Sequence, residues 1–314
     1  MDRFGVPTAQ IPIHSEQSSR LASYSGIPLR EDTAFTNHKG VEKGGIRKRT
    51  LKAFDKLQDP LRKTLEPDET VLYVAQGQVM PSGIEQAFLG WHAYLLAPAV
   101  LVLTNRRLLH ILVARNGTWK RSLRNVRWGD LEEAKIKGFL SAKLHVKYRS
   151  GKREIYWGLK GGDAKKIKIL LSALLPASAG ESSSAHGMVN LCPECRSPLT
   201  PGVYECGKCH LKFKDEKTAL WRSLLIPGGG FFYTGHPFLG MLHLFVDLII
   251  LLEFVVWSLV ALGLTKPEVR PGETPPGGSA AIILAFILLA LLALDKFVTV
   301  RVSRNLVRNF IPAA

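Results

Sequence analysis

Residues 238–264, FLGMLHLFVDLIILLEFVVWSLVALGL, form an apolar run long enough to cross a bilayer as a tilted helix. This run constrains the fold most, because hydrocarbon admits only helices and closed barrels as spanning structures. A second run, AAIILAFILLALLAL, reaches spanning length if continued through DKFVTV with Lys296 snorkelling to the headgroups, which places the second span at 280–302. Between them, TKPEVRPGETPPGGS is a Pro/Gly loop without net charge. Lys212, Lys214, Lys217 and Arg222 precede the first span, and Arg301, Arg304 and Arg308 follow the second. The positive-inside rule therefore puts both termini in the cytoplasm. His243, Asp247 and Glu253 lie inside the first span, where ionisable groups are expensive. They form a candidate intramembrane polar site, with His243 and Asp247 at i and i+4 able to pair, or else they are polar glue between helices.

All four cysteines fall in CPECRSPLTPGVYECGKC, residues 192–209. None is left for a disulfide framework, and free thiolates suit a reducing compartment. Cys192 and Cys195, then Cys206 and Cys209, make two C-x2-C knuckles, each presenting two thiolates from one tight turn. Together they make the closed four-sulphur set that structural Zn²⁺ prefers, so a zinc ribbon is expected over 191–214. A ribbon so small draws most of its folding energy from the metal. It serves either as a rigid spacer or protein-docking element, or as a nucleic-acid contact helped by HLKFKDEK.

Residues 1–180 hold 30 of the 42 Lys and Arg but 16 of the 26 Asp and Glu, which is +14 of the net +16. The basic character thus belongs to the N-terminal part, and it suits an anionic membrane surface, nucleic acid or an acidic partner. Residues 1–45 are polar and aperiodic and read as a disordered arm with no signal-peptide core. Residues 46–66 form a basic amphipathic helix that Pro60 should break or bend, and it lies either on the membrane or on the following domain.

From 67 to 175 the signals are strands and one closing helix. ETVLYVAQGQV and AVLVLTNRRLLHILVA are strand-like. SAKLHVKYRSGKREIYW reads as a hairpin turning at Ser150-Gly151, with Lys143, His145 and Lys147 alternating against Leu144, Val146 and Tyr148. GDAKKIKILLSALL closes as a helix behind an Asp163 N-cap. The stretch 87–103, with Gly90, His92 and Pro98, is too short and interrupted to read as a span. Residues 176–190, PASAGESSSAHGMVN, form a flexible linker.

The patterns Leu65 to Leu72 (LEPDETVL), Leu103 to Leu109 (LTNRRLL) and the basic hairpin 143–157 resemble the short bacterial pleckstrin-homology-like (PH-like) domains. That resemblance implies an antiparallel β-barrel closed by a C-terminal helix. Residues 79–95 depart from it as a long insertion between the first two strands. Residues 219–236, broken by Pro227 and Gly228–Gly230, carry P-G-x-G-x-F-Y-x-G through Pro227, Gly228, Gly230, Phe232, Tyr233 and Gly235, with Gly240 beyond. This resembles the TM2 domain family, over about 219–302. Gly230-Phe231 stands where many members carry His-Arg, so a role tied to that pair does not transfer. The resemblance implies a small membrane module without a shared enzymatic activity.

No Walker loop, G-x-S-x-G, H-E-x-x-H or dinucleotide fingerprint occurs. The expected whole is a multidomain α+β protein of a bacterial inner membrane, acting as a non-enzymatic adaptor or scaffold. Its expected headgroup- or protein-binding face is Lys143, His145, Lys147, Arg149, Lys152 and Arg153. Alternatives are a membrane-tethered nucleic-acid binder and an accessory subunit of a transport system.

Overall fold

The computed structural model describes residues 21–138, 142–178, 187–265 and 278–313. The first of two compact units takes the chain as far as Met80, then Ala97–Thr200 and Gly207–Cys209. The second takes Pro81–Leu96, Pro201–Cys206 and His210–Ala314.

In the first unit, β1 (Leu21–Tyr24) and β2 (Ile27–Arg30) pair over Ser25 and Gly26, both with positive φ as a tight hairpin turn requires. The short α1 (Glu31–Ala34) follows. Residues 21–45 are thus folded, which corrects the disordered arm expected over 1–45; residues 1–20 lie outside the described residues. The reason is local, since Ile27, Leu29, Ala34 and Phe35 are buried within a stretch whose average composition is polar.

Helix α2 (Gly44–Thr64) buries Thr50, Phe54, Leu57 and Leu61 along one stripe and packs on β2 and β3. Its backbone leaves helical values at Leu57, φ −115° and ψ 15°. Pro60 has no N–H for the Lys56 carbonyl, and its ring crowds that group, so the helix yields there.

Strand β3 (Val71–Val79) is followed by α3 (Gly83–Leu89) and a 3₁₀ turn over Gly90–Leu95. Then come β4 (Ala99–Thr104), β5 (Arg107–Val113), β6 (Trp119–Arg127), β7 (Leu131–Lys137), β8 (Ala142–Tyr148), β9 (Arg153–Leu159), α4 (Gly161–Ala177) and β10 (Val189–Leu191). The linker expected over 176–190 lies mostly outside the described residues. The sheet runs β10-β6-β5-β4-β3-β9-β8-β7, with β2 added beside β3. It turns at β3, which pairs with β4 through Gly77 and with β9 at Gln78 and Val79.

This sheet is open, not the closed barrel expected from the sequence. Closure would require β6 to pair with β7, but Trp128–Asp130 parts them and β10 takes the edge of β6. One face packs Trp128, Leu144, Val146 and Tyr148 under Ile167, Leu170 and Leu174 of α4. The other packs Val74, Val102, Leu109 and Ile111 under Phe54, Leu57 and Leu61 of α2. With both faces covered, β4 and β5 are buried at every position, whereas β8 alternates.

The LEPDETVL and LTNRRLL stretches meet in one polar network. Arg107 clasps Glu69 at 2.7–3.2 Å and donates to the Thr64 carbonyl at 2.8 Å, while Thr104 donates to Glu69 at 2.7 Å. Asn105 accepts from the Thr70 N–H at 2.9 Å, and Arg106 pairs with Glu66 at 2.7 Å. These residues therefore fix the turn that joins β4 and β5 to the start of β3.

The second unit holds α5 (Glu216–Leu225), α6 (Gly229–Tyr233), α7 (Pro237–Ala261) and α8 (Gly278–Val307). Pro237–Ala261 and Ser279–Val307 are long and apolar enough to cross a membrane. Their side chains face outward, with Phe245 58%, Ile249 62%, Leu252 64% and Phe286 67% exposed, unlike the core helices of a water-soluble domain. Most of the Pro/Gly loop between them lies outside the described residues. Residues 81–96 belong to this unit, since Leu89, Ala93 and Leu96 share a core with Phe231, Leu239, Val298 and Val302. The capping box of Ser82 and Glu85 starts α3, and His236 hydrogen-bonds the Leu96 carbonyl at 2.6 Å.

The glycine motif works by close approach. A Cβ on Gly228 would lie 2.0 Å from the Gly240 carbonyl oxygen, and one on Gly230 would lie 2.0 Å from Ser223 Oγ and 2.3 Å from Ser303 Oγ. Only glycine lets α5, α6, α7 and α8 meet this tightly.

Candidate functional site

The two knuckles repeat one backbone design. Cys192 N donates to the Ser197 carbonyl at 2.9 Å and Arg196 N to the Cys192 carbonyl at 3.0 Å. Cys206 N donates to the Leu211 carbonyl and His210 N to the Cys206 carbonyl, both at 2.9 Å. Arg196 and His210, each following the second cysteine, sit at φ +61° and +58°. This equivalence aims all four sulphurs inward. Their ligand atoms lie within 4.8 Å of one another, with Cys192 and Cys209 at 3.5 Å. A tetrahedral centre with metal–sulphur bonds of about 2.3 Å spaces its sulphurs by about 3.8 Å, so the four residues fit a metal ion. Burial pushes the Cys192 thiol up to about 12, against the relief given by backbone N–H groups of Cys195 and Glu194. Such a thiol stays protonated unless a cation replaces the proton.

The second knuckle continues into pairing with the chain's end. Lys214 N donates to the Ile311 carbonyl and Ala313 N to the Lys212 carbonyl, both at 3.0 Å. The rings of Tyr204 and Phe213 meet Phe310 at 5.6 and 5.5 Å between centroids. Glu216 accepts from Tyr204 at 2.8 Å and pairs with Arg304 and Arg308 of the segment ending α8. Burial alone would raise the Glu216 carboxyl, but these three donors hold it down, at about 2.

Of the basic residues singled out on the hairpin, Lys143, His145 and Lys147 share the half-exposed face of β8, and Arg153 lies opposite Lys147 on β9. Carboxylates temper this face: Lys147 pairs with Glu132 at 2.5 Å and Lys152 with Glu154 at 3.2 Å. Arg149 turns to the Gly129 carbonyl at 2.8 Å. Partial burial, then Lys137 and Lys143 close by, lowers the His145 imidazole below its usual range.

In the helix pair, His243 bonds Asp295 at 2.8 Å and Asp247 pairs with Lys296, so both contacts run across to α8. Of the two readings left open for His243 and Asp247, the contacts match polar glue between helices rather than a pair within α7; Lys296, expected to snorkel, turns inward instead. Glu253 stands apart and accepts from the Trp257 indole at 3.2 Å. Asp295 was not singled out in the sequence; its signal is an acid adjoining Lys296 at the end of the apolar run.

The sequence reading also passed over His110, 2% exposed, whose ring nitrogens have no hydrogen-bond partner among the described residues. Burial, with Arg124 near it, pushes its imidazole down to about 3, so it is neutral at pH 7. It also missed a cationic groove beside α2.

No protein-family model matches the chain, and no curated protein matches it.

Proposed function

We propose that the chain is a non-enzymatic, membrane-anchored adaptor whose cysteine ribbon is a zinc-rigidified docking collar at the cytoplasmic end of its two spans. The observation that carries this reading is the backbone pairing of residues 212–214 with 311–313, which fixes the second knuckle to the segment ending α8. A four-thiolate site has no open coordination position, so its role is structural rather than catalytic. The basic segments flanking the apolar helices support a topology with both ends in the cytoplasm. In this reading the sheet unit, PH-like in its motifs, presents its hairpin face to a protein partner or to anionic headgroups. The glycine motif, TM2-like in pattern, holds the membrane module together.

The test is affinity capture of the intact chain from detergent-solubilised native membranes, beside a variant with all four cysteines changed to serine. Partners present with the native chain and lost with the variant, while both insert equally into membranes, are the expected result. An identical partner set for both chains would refute the docking role of the ribbon.

A further inference from the structure

The first unit holds a groove of about 790 Å³ between α2, β3 and the turn at Asn116-Gly117. Seven basic side chains line it and no carboxylate does. Two of them are engaged: Arg49 pairs with Asp163 at 2.7 Å behind the groove, and Lys56 donates to the Asn116 carbonyl. The other five, Lys43, Lys48, Lys52, Arg115 and Lys160, form no ion pair with any described carboxylate.

These cations come from three separate parts of the chain. Gathering like charges without counter-charge is unfavourable, by about 1 kcal/mol for a pair 4 Å apart even in water. The hairpin face behaves differently, with carboxylates set among its lysines. Backbone geometry adds to the charge. Helices α2 and α4 both begin with Lys-Gly-Gly, at 43–45 and at 160–162, and neither N-cap lysine supplies a side-chain acceptor to the first turn. A Cβ at any of those four glycines would meet nothing within 4 Å, so no neighbouring group crowds the first turn of either helix. Lys43, Gly45 and Lys160 all line the groove.

We propose that this groove binds a multiply charged phosphate ester. Its volume suits a molecule of nucleotide size rather than a single small ion. Lysines act there as point charges that accept several phosphate orientations. Two sources offer this chemistry, a soluble phosphate ester and the headgroup of an anionic phospholipid. The site is independent of the hairpin face and of the ribbon.

The test uses the full chain in phosphatidylcholine nanodiscs, titrated calorimetrically with tripolyphosphate. The native chain is expected to bind. The triple variant Lys43→Gln, Lys52→Gln, Lys160→Gln, all exposed positions, is expected to lose about tenfold or more in affinity. A control triple of exposed lysines outside the groove, Lys39→Gln, Lys63→Gln, Lys168→Gln, should stay within about twofold of native. No binding by the native chain, or equal loss in both triples, would overturn the proposal. Discs doped with phosphatidylglycerol then decide the source: weaker binding by the native chain assigns the groove to a headgroup, and unchanged binding assigns it to a soluble ester.

Discussion

Removing the Glu69 carboxylate should be among the costliest single changes in the sheet unit. Glu69 is 0% and Arg107 5% exposed, and the guanidinium spends three of its contacts on that carboxylate. In Glu69→Ala the Arg107 charge stays buried with the Thr64 carbonyl and, at 3.7 Å, Glu66 as remaining partners. Breaking a buried pair on one side costs about 3–5 kcal/mol, and the proximity of Glu66 argues for the lower figure. Even that is a large fraction of the roughly 5–15 kcal/mol that holds a domain folded. Changing both residues, Glu69→Ala with Arg107→Met, removes the orphaned charge and fills part of its space with an apolar stem. The double variant should therefore be more stable than the single one, with a coupling energy of about 2 kcal/mol. The assay is equilibrium urea unfolding of the full chain in detergent, followed by the near-ultraviolet signal of the buried Trp128, whose indole donates to the Thr104 carbonyl at 2.9 Å. A coupling below about 0.5 kcal/mol, or a Glu69→Ala cost no larger than that of an exposed pair, would refute the argument.

Gly230→Ala should lower the thermal midpoint of the second unit in detergent, with a cost of about 1–3 kcal/mol, because its methyl group would overlap both Ser223 and Ser303; an unchanged midpoint would contradict the close-approach reading. Lys166 is 0% exposed, bonded to Thr36 at 2.8 Å, and burial lowers its ammonium to about 8 from 10.5 despite the attraction of Asp32. The unfolded chain therefore binds more protons than the folded one between about pH 8 and 10.5, so stability should rise with pH across that window, by on the order of 3 kcal/mol in all. Lys166→Met should flatten that rise, seen as unfolding midpoints at pH 7 and pH 10. Dialysis against a strong chelator should remove one divalent ion per chain and expose 192–214 to protease, with protection returning when Zn²⁺ is restored; protection that survives chelation would show a ribbon folded without metal.

What could be read from the sequence follows how local each feature is. The alternation in β8 and the knuckle spacing are set within a few residues, and the fold keeps both. Closure of the sheet was misread because it depends on which strand reaches the edge of β6, and β10 arrives there from more than sixty residues away. The order in 21–45 was hidden because four buried apolar residues are diluted among polar ones. The insertion after β3 looked like a loop of the sheet, yet its apolar residues Leu89, Ala93 and Leu96 have their core partners in 231–306. The groove had the weakest signal of all, since its free cations stand at 43–52, 115 and 160 and only the fold assembles them.

The polar residues of the apolar helices gain their meaning from the same distinction. A helical wheel of α7 alone brings His243 and Asp247 together, yet each finds its partner on α8. As the membrane spans proposed above, α7 and α8 would have no hydrophobic drive to associate and would need specific contacts to fix their rotation and relative height. Two oppositely directed pairings, His243 with Asp295 and Asp247 with Lys296, join neighbouring positions on both helices and so specify both quantities. The glycine contacts of α6 with α5, α7 and α8 add a second fixed point. The segment just beyond α8 is tied to residues 212–214 by backbone bonds, so α8 is fixed by two sets of contacts along its length and by a third just past its end. That is the rigidity the proposed docking collar would need, and Glu253, outside this arrangement, is the acid in α7 that it does not require.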